Sequence, residues 1–200
     1  QRQMCIRDSD ATHPYADEVT KNIKEACQTA GVPYMRILRE NTDMTENVTG
    51  SAKAHIRVAD SMREAVDLLN DKPYLEKNIL LTTGSKHLPD YTKIQDYQNR
   101  AYLRLLPSPE MLQKAVDTGF LPAHLIAMQG PFSQELNVAL IKQSGIGVLV
   151  TKQSGKSGGF EEKISAAEQT GTDVIVIKRP KQEDGKNLSE AEAELKKLMT

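Results

Sequence analysis

A loop rich in glycine and lysine is the segment of this chain whose residues most clearly suggest chemistry. Residues 147–151 are rich in valine and begin with a glycine, which predicts a short buried strand. The loop at residues 153–159 comes next, and the spacing of apolar residues predicts a helix from about Phe160. Free backbone N–H groups at a helix N-terminus attract anions, and Lys152 and Lys156 add positive charge. The segment therefore predicts an anion-binding loop, and the alternative is a loop that is merely flexible.

Two widespread phosphate-binding motifs are excluded at this loop. A Walker A motif that ends in residues 155–157 needs glycine where the chain has Val150. The dinucleotide-binding fingerprint, begun at Gly145 or Gly147, lacks its third glycine and lies within the predicted strand. The loop is therefore predicted to bind an anion in some other way.

The second half of the chain alternates short apolar runs with segments of helical periodicity. The apolar runs predict five strands, at residues 79–83, 101–106, 124–128, 147–151 and 173–177. Strands that alternate with helices require a mostly parallel sheet with right-handed crossovers, so the predicted fold class is α/β.

Three of these predicted strands end in small, hydroxyl and lysine residues. The segments concerned are residues 82–86, 130–133 and 152–155. Because the carboxyl ends of parallel strands lie along one edge of a sheet, we expect the three segments to converge on one crevice. Such a set suits a phosphorylated ligand, and the alternative is three ordinary tight turns.

The first half of the chain predicts further α/β elements. A helix is expected over residues 14–30, followed by strands at residues 34–38 and 55–58. Ser61 and Glu64 have the spacing of a capping box, which predicts the start of a second helix.

The predicted domain boundaries follow changes in composition. Residues 1–9 have neither periodicity nor turn signals and are expected to be a foreign or disordered leader. Turn chemistry at residues 71–73 separates a first domain, residues 10–73, from a second domain, residues 74–180. Residues 181–200 are expected to form a charged, solvated helical tail.

The composition limits the classes of protein to which the chain can belong. A net charge of −1 at pH 7 gives no general attraction to nucleic acid or to anionic membranes. No apolar run is long enough to span a bilayer, and no signal peptide is visible. The chain has two cysteines, so neither a disulfide nor a cysteine metal site is expected. We therefore expect a cytoplasmic protein that binds neither nucleic acid nor membrane.

Six motifs in collinear order resemble one known family. They are residues 10–16 (DATHPYA), 81–86 (LTTGSK), 104–107 (RLLP), 128–133 (MQGPFS) with Asn137, 151–155 (TKQSG) with Gly158 and Gly159, and 162–163 (EK). Together they resemble the precorrin-6A reductase family of cobalamin biosynthesis. The resemblance implies two Rossmann-like domains that face each other across a cleft. It also implies that the first domain is incomplete, because residues 1–9 stand where the family has a strand and a glycine-rich turn.

The resemblance implies an oxidoreductase that acts on a CH–CH group. Family members reduce one double bond of a corrin-precursor macrocycle, with NADPH or NADH as the cofactor. The implied substrate is precorrin-6A or cobalt-precorrin-6A. No metal ion is expected to be needed for the reduction. Other enzymes of the cobalamin pathway are possible partners. The alternatives are a non-catalytic sensor module of the same shape, which binds a nucleotide or another anion, and an inactive fragment.

The resemblance also implies roles for particular residues. Those expected at the cofactor follow the strand ends and are Thr83, Gly84, Ser85, Gly130, Pro131, Lys152, Ser154, Gly155, Gly158 and Gly159. Those expected at the carboxylates of the tetrapyrrole are Thr12, His13, Tyr15 and Arg36.

His13 is also a candidate proton donor, because the unperturbed pKa of histidine is about 6.5. The alternatives are that His13 only fixes the turn before Pro14, and that solvent or the substrate's own carboxyl groups supply the proton. Glu162 and Lys163 are expected to form a solvated pair.

Overall fold

The protein is described here by a computed structural model that covers residues 8–12, 17–38, 54–153, 158–178 and 185–199. The chain forms two compact units. The smaller unit combines Gln1–Thr42 with Arg179–Thr200, and the larger unit is continuous over Asp43–Lys178.

Strands and helices alternate along the chain. In order they are β1 (Asp8–Asp10), α1 (Asp17–Ala30), β2 (Tyr34–Arg36), β3 (Ile56–Ala59), α2 (Met62–Asn70), β4 (Asn78–Leu81), α3 (Leu88–Tyr91), α4 (Tyr97–Arg100), β5 (Ala101–Leu105), α5 (Pro109–Asp117), β6 (Leu125–Ala127), α6 (Gln134–Gln143), β7 (Ile146–Lys152), α7 (Phe160–Thr170), β8 (Asp173–Ile177) and α8 (Leu188–Met199). Within the described ranges, every helix is too short or too polar to cross a membrane.

A six-stranded sheet forms the centre of the larger unit. Its strand order is β3-β8-β7-β4-β5-β6, and every pairing in it is parallel. The predicted α/β fold with a mostly parallel sheet is therefore confirmed. The chain builds β4, β5 and β6 in one direction across the sheet and then returns to place β7 on the other side of β4.

Apolar layers cover both faces of this sheet. Ile79 and Leu81 of β4 belong to one core cluster, which also contains buried residues of α2 and α5. Leu80, which points to the opposite face, belongs to a second cluster with buried residues of α6 and α7. Burial on both faces explains why these strands read as continuous apolar runs rather than alternating ones.

The structure divides the chain at a different place from the boundary predicted at residues 71–73. β3 pairs with β8 from Ile56↔Val174 to Ala59↔Ile177, so it belongs to the sheet of the larger unit. Buried residues of α2 lie in the same core. The turn at residues 71–73 lies between α2 and β4, which belong to the same unit. A local turn signal carries no information about which strands will pair.

The smaller unit contains both ends of the described chain. β1 and β2 pair in parallel, and Asp8 and Ser9 of the expected leader are part of β1, whereas residues 1–7 lie outside the described ranges. Next to β2, the Leu38 amide donates to the Lys186 carbonyl at 2.7 Å, and the Lys186 amide donates to the Arg36 carbonyl at 2.9 Å.

The C-terminal helix α8 also differs from the expected solvated tail. Ala191 of this helix is 1% exposed, so one side of α8 is packed. Its N-terminus is closed by Asn187 and Glu190, whose side chains accept hydrogen bonds from each other's backbone amides at 2.8 and 2.9 Å. This reciprocal pair is a capping box, formed by Asn187 and Glu190.

Arg100 fixes the connection between α2 and β4. The residue is 5% exposed, and burial lowers the pKa of its guanidinium. The guanidinium donates hydrogen bonds of 2.5 to 3.2 Å to the backbone carbonyls of Leu69, Tyr74, Leu75, Lys77 and Gln95. One buried cation therefore donates hydrogen bonds to several backbone carbonyl groups in an irregular part of the chain.

We expect Arg100→Met to lower the free energy of unfolding by about 2–4 kcal/mol, because it leaves buried carbonyl groups without donors. Urea unfolding followed by circular dichroism measures the loss. Arg63→Met is the control, since Arg63 lies exposed on α2 and its replacement should change stability by less than about 0.5 kcal/mol. Equal effects of the two substitutions would contradict the role given to Arg100.

Candidate functional site

The candidate site lies where the order of the strands reverses. β4 is paired with β5 on one side and with β7 on the other, and the chain leaves β4 towards β5 but returns as β7. In open α/β sheets, ligands bind outside the carboxyl ends of the strands at such a switch point. Thr83 and Gly84 follow β4, and Lys152 ends β7, so these predicted site residues flank this point.

The turn after β4 is held by buried hydroxyl groups. Thr83 is 6% exposed, and its hydroxyl is hydrogen-bonded to the hydroxyl of Tyr91, which donates to the Gly84 carbonyl at 3.0 Å. Burial raises the pKa of Tyr91, so the phenol remains a neutral donor. Gly84 has a φ of +81°, and a Cβ added there would have no atom within 4 Å. Ser85 turns its hydroxyl towards the Met111 sulfur, 3.1 Å away.

Gly84 is half-buried and has open space where a side chain would stand. Thr83 serves to fix that backbone, because its hydroxyl is already engaged.

The loop after β6 lies against the N-terminus of α7. Gly130 and Pro131 are exposed, and the Phe132 ring covers the Arg104 guanidinium with its centroid 4.1 Å from Cζ. The Phe132 carbonyl lies 3.9 Å from the position that a Cβ of Gly159 would take. The loop at residues 130–133 therefore lies next to Gly159, at the N-terminus of α7.

Gly159 begins α7 in a backbone conformation that favours glycine. Its φ is +60°, and it is buried next to the half-buried Gly158. The predicted helix start at Phe160 is confirmed. Ser154 and Gly155 lie outside the described residues.

The turn after β4 and the end of β7 are also close to each other. Burial lowers the pKa of His87, a hydrogen bond with Asp90 opposes that shift, and the positive charge of Lys152 reinforces it. His87 Nδ1 lies 3.2 Å from Asp90 Oδ2. His87 is not among the predicted site residues, although a histidine and an aspartate three residues apart on one turn are a sequence signal that could have identified it.

Two buried cations at this edge are not among the predicted site residues. Arg104 of β5 and Lys163 of α7 are each 6% exposed. Arg104 Nη1 donates to Asn137 Oδ1 at 2.8 Å, and burial lowers the pKa of this guanidinium to about 10. An arginine inside a run of buried strand residues is the sequence signal that could have identified this site.

Lys163 is bound only by neutral oxygen atoms within the described chain. Its Nζ donates to the Gly158 carbonyl at 2.8 Å and to Thr151 Oγ1 at 3.3 Å. Burial, together with the charge of Arg104, lowers the pKa of Lys163 to about 8. The expectation of a solvated Glu162–Lys163 pair is wrong, because the first turn of α7 packs Lys163 against the end of β7.

The smaller unit has a polar cluster of its own. Asp10, 1% exposed, forms an ion pair of 2.6 Å with Arg36 and accepts hydrogen bonds from Tyr34 at 2.8 Å and from the Thr12 amide at 2.9 Å. Arg36 Nη1 also donates to the hydroxyls of Thr12 and Thr20 at 2.9 and 3.2 Å. Burial opposes ionisation of Asp10, but the hydrogen bonds outweigh it and hold the pKa of this carboxyl well below its usual range.

Two of the four residues predicted at the substrate therefore lie together, Thr12 and Arg36. The charge of Arg36 is already compensated by Asp10, so its first role is to hold residues 10–12 in place. His13 and Tyr15 lie outside the described residues.

Comparison with known proteins assigns the chain to a family. A sequence profile described as Precorrin-6x reductase CbiJ/CobK matches residues 9–197. The chain belongs to this family. Among family members, the Cobalt-precorrin-6A reductase of Priestia megaterium is 37% identical over 181 residues, which cover 88% of this chain and 66% of that protein. The Cobalt-precorrin-6A reductase of Methanothermobacter thermautotrophicus is 36% identical over 171 residues, or 86% of this chain and 53% of that protein.

A solved structure of the precorrin-6x reductase family supports the same assignment. The chain aligns with CobK precorrin-6A reductase at a TM-score of 0.66 and 25% identity, covering 94% of this chain and 72% of that one. The chain spans about half to two thirds of the length of the two curated relatives named above.

The Asp10 cluster should make the smaller unit sensitive to acid. Since the pKa of Asp10 is lowered on folding, its stabilisation is present above the unfolded value of about 3.9 and is lost as the pH falls below it. We expect the protection of β1 and β2 amides against hydrogen exchange, corrected for the intrinsic rate, to fall below about pH 4.

Asp10→Asn should remove this pH dependence, whereas Glu25→Gln, a change at an exposed carboxylate paired with Lys21 at 3.8 Å, should leave it intact. The same acid dependence in Asp10→Asn and in the parent would show that another group is responsible.

Proposed function

We propose that the chain is a reductase that acts on precorrin-6A or cobalt-precorrin-6A with NADPH or NADH as the hydride source. The observation that carries the proposal is that the turn after β4 and the end of β7 meet at the switch point of the sheet, in a chain of the precorrin-6x reductase family. A cytoplasmic location is part of the proposal and is supported by the low cysteine content.

The residues at the switch point fit a nicotinamide dinucleotide. Gly84 and Gly159 have positive φ values of +81° and +60°, so their backbone can approach a ligand without a side chain in between. Lys152, the last residue of β7, supplies a cation at this edge of the sheet, and the N-terminus of α7 supplies backbone donors. We propose that the cofactor is held by Thr83, Gly84, Ser85, Gly130, Pro131, Lys152, Ser154, Gly155, Gly158 and Gly159.

The bound nicotinamide supplies a hydride for one carbon of a conjugated double bond. The chain contributes orientation and charge. Tyr91 and Thr83 fix the backbone of Gly84, so the wall of the site is formed before the ligand binds. Lys152 offsets negative charge on the diphosphate.

We propose that the smaller unit contributes to substrate binding through Thr12, His13, Tyr15 and Arg36. The ion pair with Asp10 makes Arg36 a positioning residue for residues 10–12, and His13 comes directly after that segment. His13 is the proposed proton donor to the second carbon of the double bond, with solvent as the alternative.

The test is spectroscopic. The full chain is incubated with NADPH, and separately with NADH, in the presence of precorrin-6A or its cobalt form, and the nicotinamide absorbance band is followed. Loss of absorbance that requires the tetrapyrrole supports the reductase. Tight cofactor binding without turnover would instead support a binding module of the same fold or an inactive fragment.

Gly159→Asp should weaken cofactor binding at least about tenfold, because the substitution places a side chain and a negative charge at the N-terminus of α7. Gly145→Asp is a matched control, since Gly145 has a similar φ of +56° but precedes β7 at the opposite edge of the sheet. Fluorescence titration with NADPH measures both variants. If the two variants bound NADPH equally well, the assignment of Gly159 to the cofactor site would be wrong.

A further inference from the structure

Arg104 and Lys163 bury two positive charges at one place in the fold. Arg104 points to the same face of the sheet as Tyr102, which packs on the α6 and α7 core, and Lys163 projects from α7 to Thr151 at the end of β7. β4 lies between β5 and β7, so the two cations flank the end of β4 at the switch point. They are near enough for the charge of Arg104 to lower the pKa of Lys163.

Neither cation has a carboxylate partner within the described part of the chain. Arg104 makes one hydrogen bond there, from Nη1 to Asn137, and the Phe132 ring covers its face. Lys163 donates to one carbonyl and one hydroxyl. A guanidinium carries five N–H donors, so much of the binding capacity of Arg104 is unused.

Glu162 is the nearby acid, and it leaves the cluster positive. Its charge raises the pKa of Lys163 and is the smallest of the three effects on that amine. Glu162 Oε2 is itself buried without a hydrogen-bond partner and forms no ion pair with either cation in the described residues. Two cations and one acid give this buried cluster a net charge of about +1.

An uncompensated buried charge of this kind destabilises the folded chain, because desolvation of a cation is unfavourable unless an anion lies beside it. A purely structural position would be occupied more favourably by apolar residues of similar volume. The arrangement is instead suited to a ligand that brings its own negative charge, and the N-terminus of the eleven-residue helix α7 adds backbone donors next to Gly158 and Gly159.

We infer that Arg104 and Lys163 form a phosphate subsite beneath the loop that carries Phe132. The subsite takes one phosphate group of the diphosphate of the cofactor, and in this respect it rests on the function proposed above. Arg104 provides planar paired donors, Lys163 provides a compact charge, and Asn137 orients the guanidinium.

Inorganic pyrophosphate is the first probe, titrated into the full chain by calorimetry at constant ionic strength, with citrate as a polycarboxylate for comparison. Arg104→Leu and Lys163→Met should each weaken pyrophosphate and NADPH binding about ten- to hundredfold, the loss expected for a charge-assisted contact. Glu162→Gln should strengthen pyrophosphate binding, because it removes a negative charge beside the ligand. Lys142→Met, which removes an exposed cation from α6, is the control and should change neither affinity.

Unfolding in urea separates a ligand site from a structural one. Without ligand, Arg104→Leu and Lys163→Met should be as stable as the parent or more stable, since each removes a buried charge that has no carboxylate partner among the described residues. Lower stability combined with unchanged pyrophosphate affinity would overturn the inference. If Arg104→Leu does not fold, Lys163→Met and Glu162→Gln test the inference in its place. Unchanged pyrophosphate affinity in both of these variants would also overturn it. Tighter binding of citrate than of pyrophosphate would overturn the assignment to phosphate.

The two proposals fail in different ways. Pyrophosphate binding that depends on Arg104 and Lys163, without oxidation of NADPH by the tetrapyrrole, would refute the reductase and support the subsite. Turnover by the parent, with pyrophosphate affinity unchanged across the variants, would refute the subsite alone.

Discussion

Hydrogen bonding between β4 and β7 is the interaction on which the larger unit depends. The two strands pair in parallel through Leu80↔Leu149 and Leu81↔Val150, and beyond β4 both the amide and the hydroxyl of Thr82 donate to the Val150 carbonyl. These strands are far apart in the chain, so their pairing brings together loops that are distant in sequence. The charge of Lys152 reaches His87, in the turn after β4, for this reason.

Two buried arginines in the same unit illustrate two different uses of a desolvated cation. Arg100 donates to five backbone carbonyls and so replaces the hydrogen bonds that an irregular connection lacks. Arg104 makes one hydrogen bond within the part of the chain that the structure describes, to Asn137, and has an aromatic ring over its face. Similar burial therefore does not mean a similar role, and the number of satisfied donors is the observation that separates the two.

Local sequence patterns predicted the elements of the second half well. β8 spans the predicted residues 173–177, and α7 begins at the predicted Phe160, because short apolar runs and helical spacing report directly on local structure. The pairing of β3 with β8 was not predictable, since strand partners are set by contacts between residues far apart in the chain. Burial of Lys163 was missed for a similar reason: a charged residue in the first turn of a helix is usually solvated, and only packing of α7 on β7 places this one inside. The residues expected at the cofactor and the substrate stay predictions.

The smaller unit combines Gln1–Thr42 with Arg179–Thr200, and this arrangement affects the order in which the two units can fold during synthesis. The segment Asp43–Lys178 is continuous and can fold once it has left the ribosome. The hydrogen bonds between Lys186 and the β2 region cannot form until Lys186 has been made. During translation, therefore, residues 8–38 lack one of their neighbours while the whole segment Asp43–Lys178 is synthesised, and a stop in synthesis directly after that segment would leave the smaller unit unfinished.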